Sequence, residues 1–252
     1  MSSRTNVKMF VSLLVGILLL YSTKADIKTD KAVADLYKNT YLGDGTYYTK
    51  TTNGTCQYDP PSLPPVAMSP HIGYLVALNK AQFLDSVACG MCFRVHAEGK
   101  GAGLNPIVGD FNVFVKDLCP GCLQGDLDFA ENGDGRWKIL MQAVQCPVGN
   151  SNIEYLLQGS NEWYIKLQVR NARIPPTEVR AFQGNSWVKM KHTADGFWEL
   201  STGEKITTPI SIHLRSFRGH DLYDTIPSID NGIVIRSQKK VQFPLDIHLP
   251  FI

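Results

Sequence analysis

Apolar and polar residues alternate along several short stretches of the chain, which is the pattern of half-buried β-strands. The clearest example is residues 163–170, where one face would carry Trp163, Ile165, Leu167 and Val169 and polar residues would occupy the other. In the first half, Cys92–His96 and Ile107–Val115 alternate in the same way. His71–Leu84 is instead the best helix candidate of that half. The pattern therefore predicts a chain dominated by strands.

The second half consists of short strand signals separated by turns. Its apolar runs are Glu178–Phe182, Trp187–Lys191, Phe197–Leu200, Ile210–Ser216, Ile233–Ile235 and Val241–Phe243. Turn sequences such as Asp195-Gly196 and Asn231-Gly232 separate several of them. Regular short strands of this kind predict a β-sandwich of roughly 100 residues. We expect Trp187 to lie in its core.

The N-terminus has the order of residues that is typical of a secretory signal peptide. Arg4 and Lys8 precede the apolar run Met9–Leu20, and small residues at Thr23 and Ala25 close it. We therefore expect residues 1–25 to be removed and the protein to be secreted. A membrane anchor is the alternative, but the run is shorter than the ~20 residues of a spanning helix. The polar segment 26–43 that follows would form at most a short helix.

Composition and charge exclude some partners. The 252 residues are 44% hydrophobic and 19% charged, with a formal net charge of +2, and the longest basic run is Lys239-Lys240. This balance indicates neither a nucleic-acid partner nor, after signal cleavage, a membrane partner. The sequon Asn53-Gly-Thr55 predicts glycosylation at Asn53 if the source is eukaryotic. The six histidines show no metal-ligand spacing, and no cofactor is expected.

All six cysteines lie between positions 56 and 146. This asymmetry favours two domains, of which only the first contains disulfides. Two Cys-x-x-Cys pairs are also compatible with a tetrahedral zinc site, but a secreted chain with an even number of cysteines favours disulfides. Cys119-Pro-Gly-Cys122 resembles a redox-active pair. Such a pair normally begins a helix, whereas turn and strand residues follow Cys122.

Two acidic residues lie near the ends of neighbouring strand signals. The alternating run Val113–Val115 leads to Asp117, and after the Cys-Pro-Gly-Cys turn the segment Leu127-Asp128-Phe129 supplies a second carboxylate. Enzymes that cleave a glycosidic bond generally need two carboxylic residues beside it. The same pair could instead hold a sugar chain without cutting it.

A set of motifs, in order across both halves, resembles the expansin family, and in particular its bacterial-type and other non-plant members. The motifs are Gly45–Tyr48, Ala88-Cys-Gly-Met-Cys92, Val115–Pro120, Gly125–Asp128, Trp163-Tyr164, Gln168–Asn171, Asp224–Pro227 and Val241–Pro244. The resemblance implies an all-β chain: a six-stranded double-psi β-barrel (44–149) followed by an immunoglobulin-like, cellulose-binding-type β-sandwich (150–252). It further implies a protein that binds cellulose or a related β-glucan and loosens walls without hydrolysing them. We expect a monomer.

The resemblance also implies a disulfide pattern and a set of groove residues. It pairs Cys56 with Cys89 and Cys92 with Cys146, which leaves Cys119 with Cys122. Asp128 matches the family's essential acid, Asp117 a second groove carboxylate and Thr46 a groove threonine. For Asp117 the alternative is a turn cap bonded to the Pro120-Gly121 backbone, and for Thr46 it is an ordinary strand residue.

One carboxylate of the related endoglucanases has no counterpart. Those enzymes carry a general base just after the aromatic opening strand, whereas Tyr47–Thr52 contains no acidic residue. An inverting hydrolase needs such a base roughly 6.5–9.5 Å from its acid. A further departure is Cys119, which stands where the family has a tyrosine. Hydrolysis is therefore not expected.

The resemblance places a carbohydrate platform on Trp163 and Tyr164, with Phe197 or Trp198 in place of a third aromatic; Phe197 is the residue we select. Strand alternation conflicts with this, because consecutive strand residues point to opposite faces and Trp163 would join the core. Both rings could face outwards only if the strand begins after them.

Three functions are compatible with these features. The favoured one is a secreted, extracellular protein that loosens the cell wall or extracellular matrix without hydrolysis. The second is an endoglucanase or lytic transglycosylase on the same barrel. The third is a purely structural carbohydrate-binding matrix protein.

Overall fold

The structure is a computed structural model that describes residues 27–49, 54–58, 62–237 and 239–252. The expected signal peptide (1–25) and the sequon residue Asn53 lie outside the described residues. Among the described helices, none is both long and apolar enough to cross a membrane.

The first half folds into a closed barrel after an N-terminal helix. The helix, α1, covers residues 27–38. The six barrel strands are β1 (Tyr41–Tyr48), β2 (Tyr74–Asn79), β3 (Cys92–Ala102), β4 (Val108–Cys119), β5 (Leu127–Ala130) and β6 (Arg136–Val144). They close in the order β1-β5-β2-β4-β3-β6, with β1–β5 and β2–β4 parallel. A 3₁₀ turn (Pro65–Met68) and a short helix α2 (Lys80–Phe83) lie in the connections.

The helix predicted over His71–Leu84 is wrong. Tyr74–Asn79 is a strand between β4 and β5, and only the four residues of α2 are helical. The side chain of Asn79 caps α2 by accepting a hydrogen bond from the amide of Gln82, and Leu84 ends it in a left-handed conformation. A strand that is buried on both faces is continuously apolar, and its periodicity does not distinguish it from a helix.

The second half forms two antiparallel sheets packed face to face. One contains β9 (Pro176–Gln183), β10 (Ser186–Lys189), β13 (Ile210–Ser216) and β14 (Asp221–Ile226), in the order β10-β9-β13-β14. The other contains β7 (Glu154–Leu157), β8 (Ile165–Arg170), β11 (Lys191–His192), β12 (Trp198–Leu200) and β15 (Val234–Arg236), in the order β11-β12-β8-β7-β15. Buried residues of both sheets share the core, and the hydroxyl of Tyr155 on β7 donates to Asp224 on β14 at 2.9 Å. The predicted class, a barrel followed by a sandwich, is confirmed.

Side chains and backbone hydrogen-bond across the junction between barrel and sandwich. Gln168 Nε2 donates to the carbonyl of Cys56 at 2.6 Å. The hydroxyl of Ser86 donates to the carbonyl of Thr193 at 2.7 Å and accepts from the amide of Gly196 at 3.0 Å. These polar groups satisfy one another across the junction, so separating the domains would exchange their hydrogen bonds for bonds to water.

Helix α1 contacts both halves as well. The carbonyl of Tyr37 accepts a hydrogen bond from Gln142 of β6, while its ring stacks on Phe217 beside the sandwich at 5.1 Å. Asp30 accepts a hydrogen bond from the hydroxyl of Thr177 on β9. The domain boundary expected at 149/150 stays a prediction; β6 ends at Val144 and β7 begins at Glu154.

The structure contains three disulfides, and they are the pairs that the resemblance implies. Cys56 is bonded to Cys89, Cys92 to Cys146 and Cys119 to Cys122. The first two span 33 and 54 residues, whereas the third closes a turn of only three.

Candidate functional site

The three predicted groove residues lie in a single row across the barrel wall. Thr46 on β1 pairs with Asp128 on β5, Asp128 pairs with Ala77 on β2, and Ala77 pairs with Asp117 on β4. Residues paired across adjacent strands point to the same face. Because neighbouring strands are about 4.8 Å apart, Asp128 and Asp117 have Cα atoms about 10 Å apart, with the small side chain of Ala77 between them.

A β-bulge positions Asp117 in this row. Val76 pairs with Val115 but Ala77 pairs with Asp117, so Lys116 is the extra residue of β4. The bulge interrupts the strict alternation of the strand and orients the side chain that follows it. Asp117 Oδ1 accepts the amide hydrogens of Thr55 at 2.7 Å and of Leu118 at 2.8 Å. The carboxylate therefore holds the segment around Thr55, and the turn cap on Pro120-Gly121 is not what the structure shows.

Asp128 has a half-buried carboxylate with one close partner. The hydroxyl of Thr46 donates to its Oδ1 at 2.7 Å. Burial raises the pKa of Asp128, and the charge of Asp117 raises it further; the hydrogen bond from Thr46 and the charge of Arg136 act in the opposite direction. The net result is a raised pKa, which favours a carboxyl that can carry or donate a proton.

A charged network beside this row was not predicted. Asp44 lies two residues before Thr46 on the same face of β1, where Arg136 contacts it at 3.0 Å and Lys138 at 2.6 Å. Burial would raise the pKa of Asp44, but the hydrogen bonds from Lys138 and Arg136 lower it overall. Asp44 is thus held as a paired anion. Its place two residues from Thr46 in an alternating strand is the sequence signal that could have revealed it.

A polar path leads from Asp117 to the sandwich. Beyond Thr55, the side chain of Gln57 donates to Asp195 at 3.3 Å, and Lys166 Nζ lies 2.6 Å from the same carboxylate oxygen. A cleft of about 620 Å³ opens here, lined by Gly54, Thr55, Gln57, Ser62, Leu156, Asp195 and Gly232. Hydrogen-bonding groups therefore extend from the barrel across the junction.

The two adjacent aromatic residues of the predicted platform stand just before Lys166 in the chain. β8 begins at Ile165, so Trp163 and Tyr164 precede it and escape its alternation. Trp163 is 50% exposed, and the Tyr164 hydroxyl donates to Glu199 at 3.2 Å on the outer face of the sheet. The prediction from alternation that Trp163 joins the core is wrong, because the strand starts after it.

The third predicted platform residue, Phe197, cannot contact a sugar at the surface. Its side chain is fully buried, with Lys166 Nζ 4.8 Å from the ring centroid. The neighbouring Trp198 is only 5% exposed and packs in the core. The amide of Gly196, the residue before Phe197, donates to Ser86 of the barrel, so this loop lies against the barrel. Of the three aromatic residues predicted for a platform, Trp163 is thus exposed, Tyr164 is partly exposed and Phe197 is buried.

Comparison with known proteins supports the same family that the motifs indicated. No family model matches the chain. Expansin-B6 of Arabidopsis thaliana is 24% identical over 216 residues, which is 75% of this chain and 90% of the plant protein. Expansin-YoaJ of Bacillus subtilis is 26% identical over 148 residues, 54% of this chain and 62% of that protein. A variant of the Clavibacter michiganensis expansin, solved in complex with cellohexaose, superposes with a TM-score of 0.66 at 22% identity. The superposition covers 82% of this chain and 100% of the Clavibacter chain.

The chain is therefore similar to expansins in sequence and in fold. Its fold, a double-psi barrel with an immunoglobulin-like sandwich, is that of the superposed expansin. One local feature departs from the expansin motif: the Cys119–Cys122 disulfide lies beside Asp128. The two sulfurs and a carboxylate oxygen of Asp128 are all within 4.8 Å of one another. Because the sulfurs are bonded together, they present an apolar edge to the carboxyl group rather than two metal-binding thiolates.

Proposed function

We propose that this expansin-like protein is secreted, binds cellulose or a related β-glucan, and loosens the cell wall or extracellular matrix without hydrolysing it. One observation carries the proposal: the row Thr46–Asp128–Ala77–Asp117 continues through Thr55 and Gln57 to Asp195 and Lys166 of the sandwich. The half-exposed Trp163 and the partly exposed Tyr164 stand just before Lys166 in the chain. A glucan chain offers hydroxyl groups at its edges and apolar C–H faces. Polar groups followed by exposed rings complement both, and the superposed expansin was solved with cellohexaose.

The arrangement favours holding a glucan over cutting it. Asp128, with its raised pKa, suits a proton donor, but hydrolysis also needs a base that binds and activates water. No acidic residue follows Tyr48 up to Thr52, and Asp44 is paired with two cations. Asp117 is the other carboxylate of the described row, but its Oδ1 already accepts two amide hydrogens.

An endoglucanase is the second candidate, because one observation favours it. Asp117 and Asp128 lie two strands apart, with their Cα atoms about 10 Å from each other. This spacing is near the distance between the two carboxyl groups of inverting glycosidases, roughly 6.5–9.5 Å. The third candidate, a structural matrix protein, shares the binding surfaces and lacks only the loosening activity.

Secretion, the monomeric state and the division into domains 44–149 and 150–252 belong to the same proposal. Three disulfides in one chain support an oxidising compartment outside the cell. Glycosylation at Asn53 would fit that route in a eukaryote. We expect no nucleic-acid partner, since the net charge is only +2.

Three measurements on one purified sample test the proposal. The protein is incubated with cellulose and followed for pelleting, for release of reducing ends, and for mechanical creep of a cellulosic wall strip. Pelleting and creep without new reducing ends are expected. Reducing ends that vanish in Asp128→Asn would establish the endoglucanase instead, and pelleting without creep would establish the structural protein.

A further inference from the structure

A second group of aromatic side chains lies on the outer face of the other sheet. Phe182, Trp187 and Tyr223 are 44%, 37% and 59% exposed, and they surround the nearly buried His213. We call these four residues the ring cluster. The expectation that Trp187 lies in the core is wrong, because Trp187 pairs with Phe182 on the outward face of the β9–β10 hairpin.

The rings contact one another edge to face. The Trp187 centroid lies 5.4 Å from that of Phe182, 5.8 Å from His213 and 5.7 Å from Tyr223, at interplanar angles of 60–69°. His213 stacks on Tyr223 at 4.7 Å, and its Nε2 lies 2.7 Å from Asp221. Tyr223 and Trp187 are thus held in place by their neighbours while their outer surfaces remain open.

Charged residues around the cluster are mostly paired within the sheet. Glu178 contacts Arg180 at 2.6 Å and Lys189 at 3.6 Å, and Asp221 is paired with His213. Arg215, in the next cross-strand row, is exposed. A surface of open rings bordered by paired charges complements a ligand that is uncharged, has apolar faces and carries hydrogen-bonding groups at its edge.

The exposed ring area is too small for a stable protein partner. At 150–250 Å² per aromatic side chain, the exposed parts of the three rings amount to roughly 300 Å². A stable protein interface buries about 800 Å² on each partner. A patch of this size fits a few sugar residues, and the tilted ring planes fit one twisted chain rather than the flat face of a crystal.

We propose that the ring cluster is a second glycan-binding surface, which binds a single β-linked glucan chain. Tyr223 and Trp187 would contact the apolar faces of the sugar rings. The cluster lies on the four-stranded sheet, whereas Tyr164 lies on the outer face of the five-stranded one. Because the outer faces of a sandwich point in opposite directions, one molecule would bind two glucan chains at once. This surface does not depend on the barrel groove or on Tyr164.

Calorimetric titration of the full chain with cellohexaose tests the proposal. Wild type, Tyr223→Ala, Tyr164→Ala and the double variant are compared, with Phe251→Ala as the control, an aromatic residue that is 53% exposed outside both surfaces. Two binding sites are expected for wild type and for the control. Tyr223→Ala should lose one by weakening it roughly tenfold, whereas Tyr223→Phe should keep it. A single wild-type site that Tyr223→Ala removes and Tyr164→Ala leaves unchanged would contradict the proposed platform while supporting the ring cluster.

A second measurement separates binding from altered folding. In the Tyr164→Ala variant, the indole N–H signal of Trp187 in an NMR spectrum should shift saturably as cellohexaose is added. A Trp187 signal that does not move, or an unchanged number of sites in Tyr223→Ala, would overturn the proposal. Concentration-dependent dimerisation that Tyr223→Ala abolishes would also overturn it, because the rings would then bind a second copy of the chain.

Discussion

The hydroxyl of Thr46 donates a 2.7 Å hydrogen bond to Oδ1 of Asp128 from the neighbouring parallel strand. This bond favours the ionised carboxylate and opposes the effect of burial on its pKa. Thr46→Val keeps the shape of the side chain and removes the donor. We expect the pKa of Asp128 to rise further in this variant, as followed by NMR titration of its carboxyl carbon. Thr49→Val, just after the strand, is the matched control; an equal shift in both variants would contradict the assignment.

Asp128 is also expected to make stability depend on pH. Its pKa is raised in the folded chain, so between the ordinary value of 3.8 and the raised one the folded state binds more protons than the unfolded state. Stability therefore falls as pH rises through that window and stays lower above it. Asp128→Asn removes the buried charge and should raise Tm by about 1–2 °C at pH 7. The gain should disappear below pH 3.8 in thermal melts, and a gain that persists there would refute the linkage.

Substitution of Phe197 is expected to lower the stability of the chain, whereas substitution of Trp163 is expected to weaken cellulose binding. Phe197→Ala removes a fully buried ring and should lower the free energy of unfolding by about 3–5 kcal/mol. Trp163→Ala removes a half-exposed ring, so it should leave stability within about 0.5 kcal/mol. The same change should weaken cellulose pelleting severalfold. Urea unfolding and pelleting isotherms of both variants check this, and a Trp163→Ala protein that pellets like wild type would place the platform elsewhere.

The disulfides should differ in how much they stabilise the chain. Cross-linking restricts the unfolded state more when the closed loop is longer. Replacing Cys92 and Cys146, which are 54 residues apart, with serine should cost about 4 kcal/mol. Replacing Cys119 and Cys122, three residues apart, should cost about 2 kcal/mol or less. Chemical unfolding of the two double variants measures the difference, and equal losses would show that the short bridge stabilises folded packing instead.

Much of the fold followed from sequence because its signals are local. Alternation identified the strands over Cys92–His96 and Ile165–Arg170, although the predicted run began two residues too early at Trp163. Ordered motifs indicated which barrel and sandwich they build. Tyr74–Asn79 was missed because a strand buried on both faces has no alternation to detect. The order of the six barrel strands depends on contacts between distant residues, which periodicity does not contain.

The individual residues of the candidate site could be predicted from the sequence, but their positions relative to one another could not. Motif positions identified Asp128, Asp117 and Thr46, but their common row depends on the bulge at Lys116 and on the pairing of both acids with Ala77. Phe197 was misplaced because it lies in a loop before β12, where alternation does not show whether a side chain is buried. The choice between core and surface for such a residue is made by tertiary contacts.

The contacts that join barrel and sandwich should make affinity depend on the length of the sugar chain. Gln168, Ser86 and helix α1 keep Asp128 and Trp163 on one connected body. A sugar chain that reaches only one of these residues gains one set of contacts, whereas a longer chain makes the second set in an intramolecular step. Affinity should therefore rise in a step as sugar residues are added. The number of sugar residues at which affinity increases would give the distance between the two sites, because the junction holds that distance fixed.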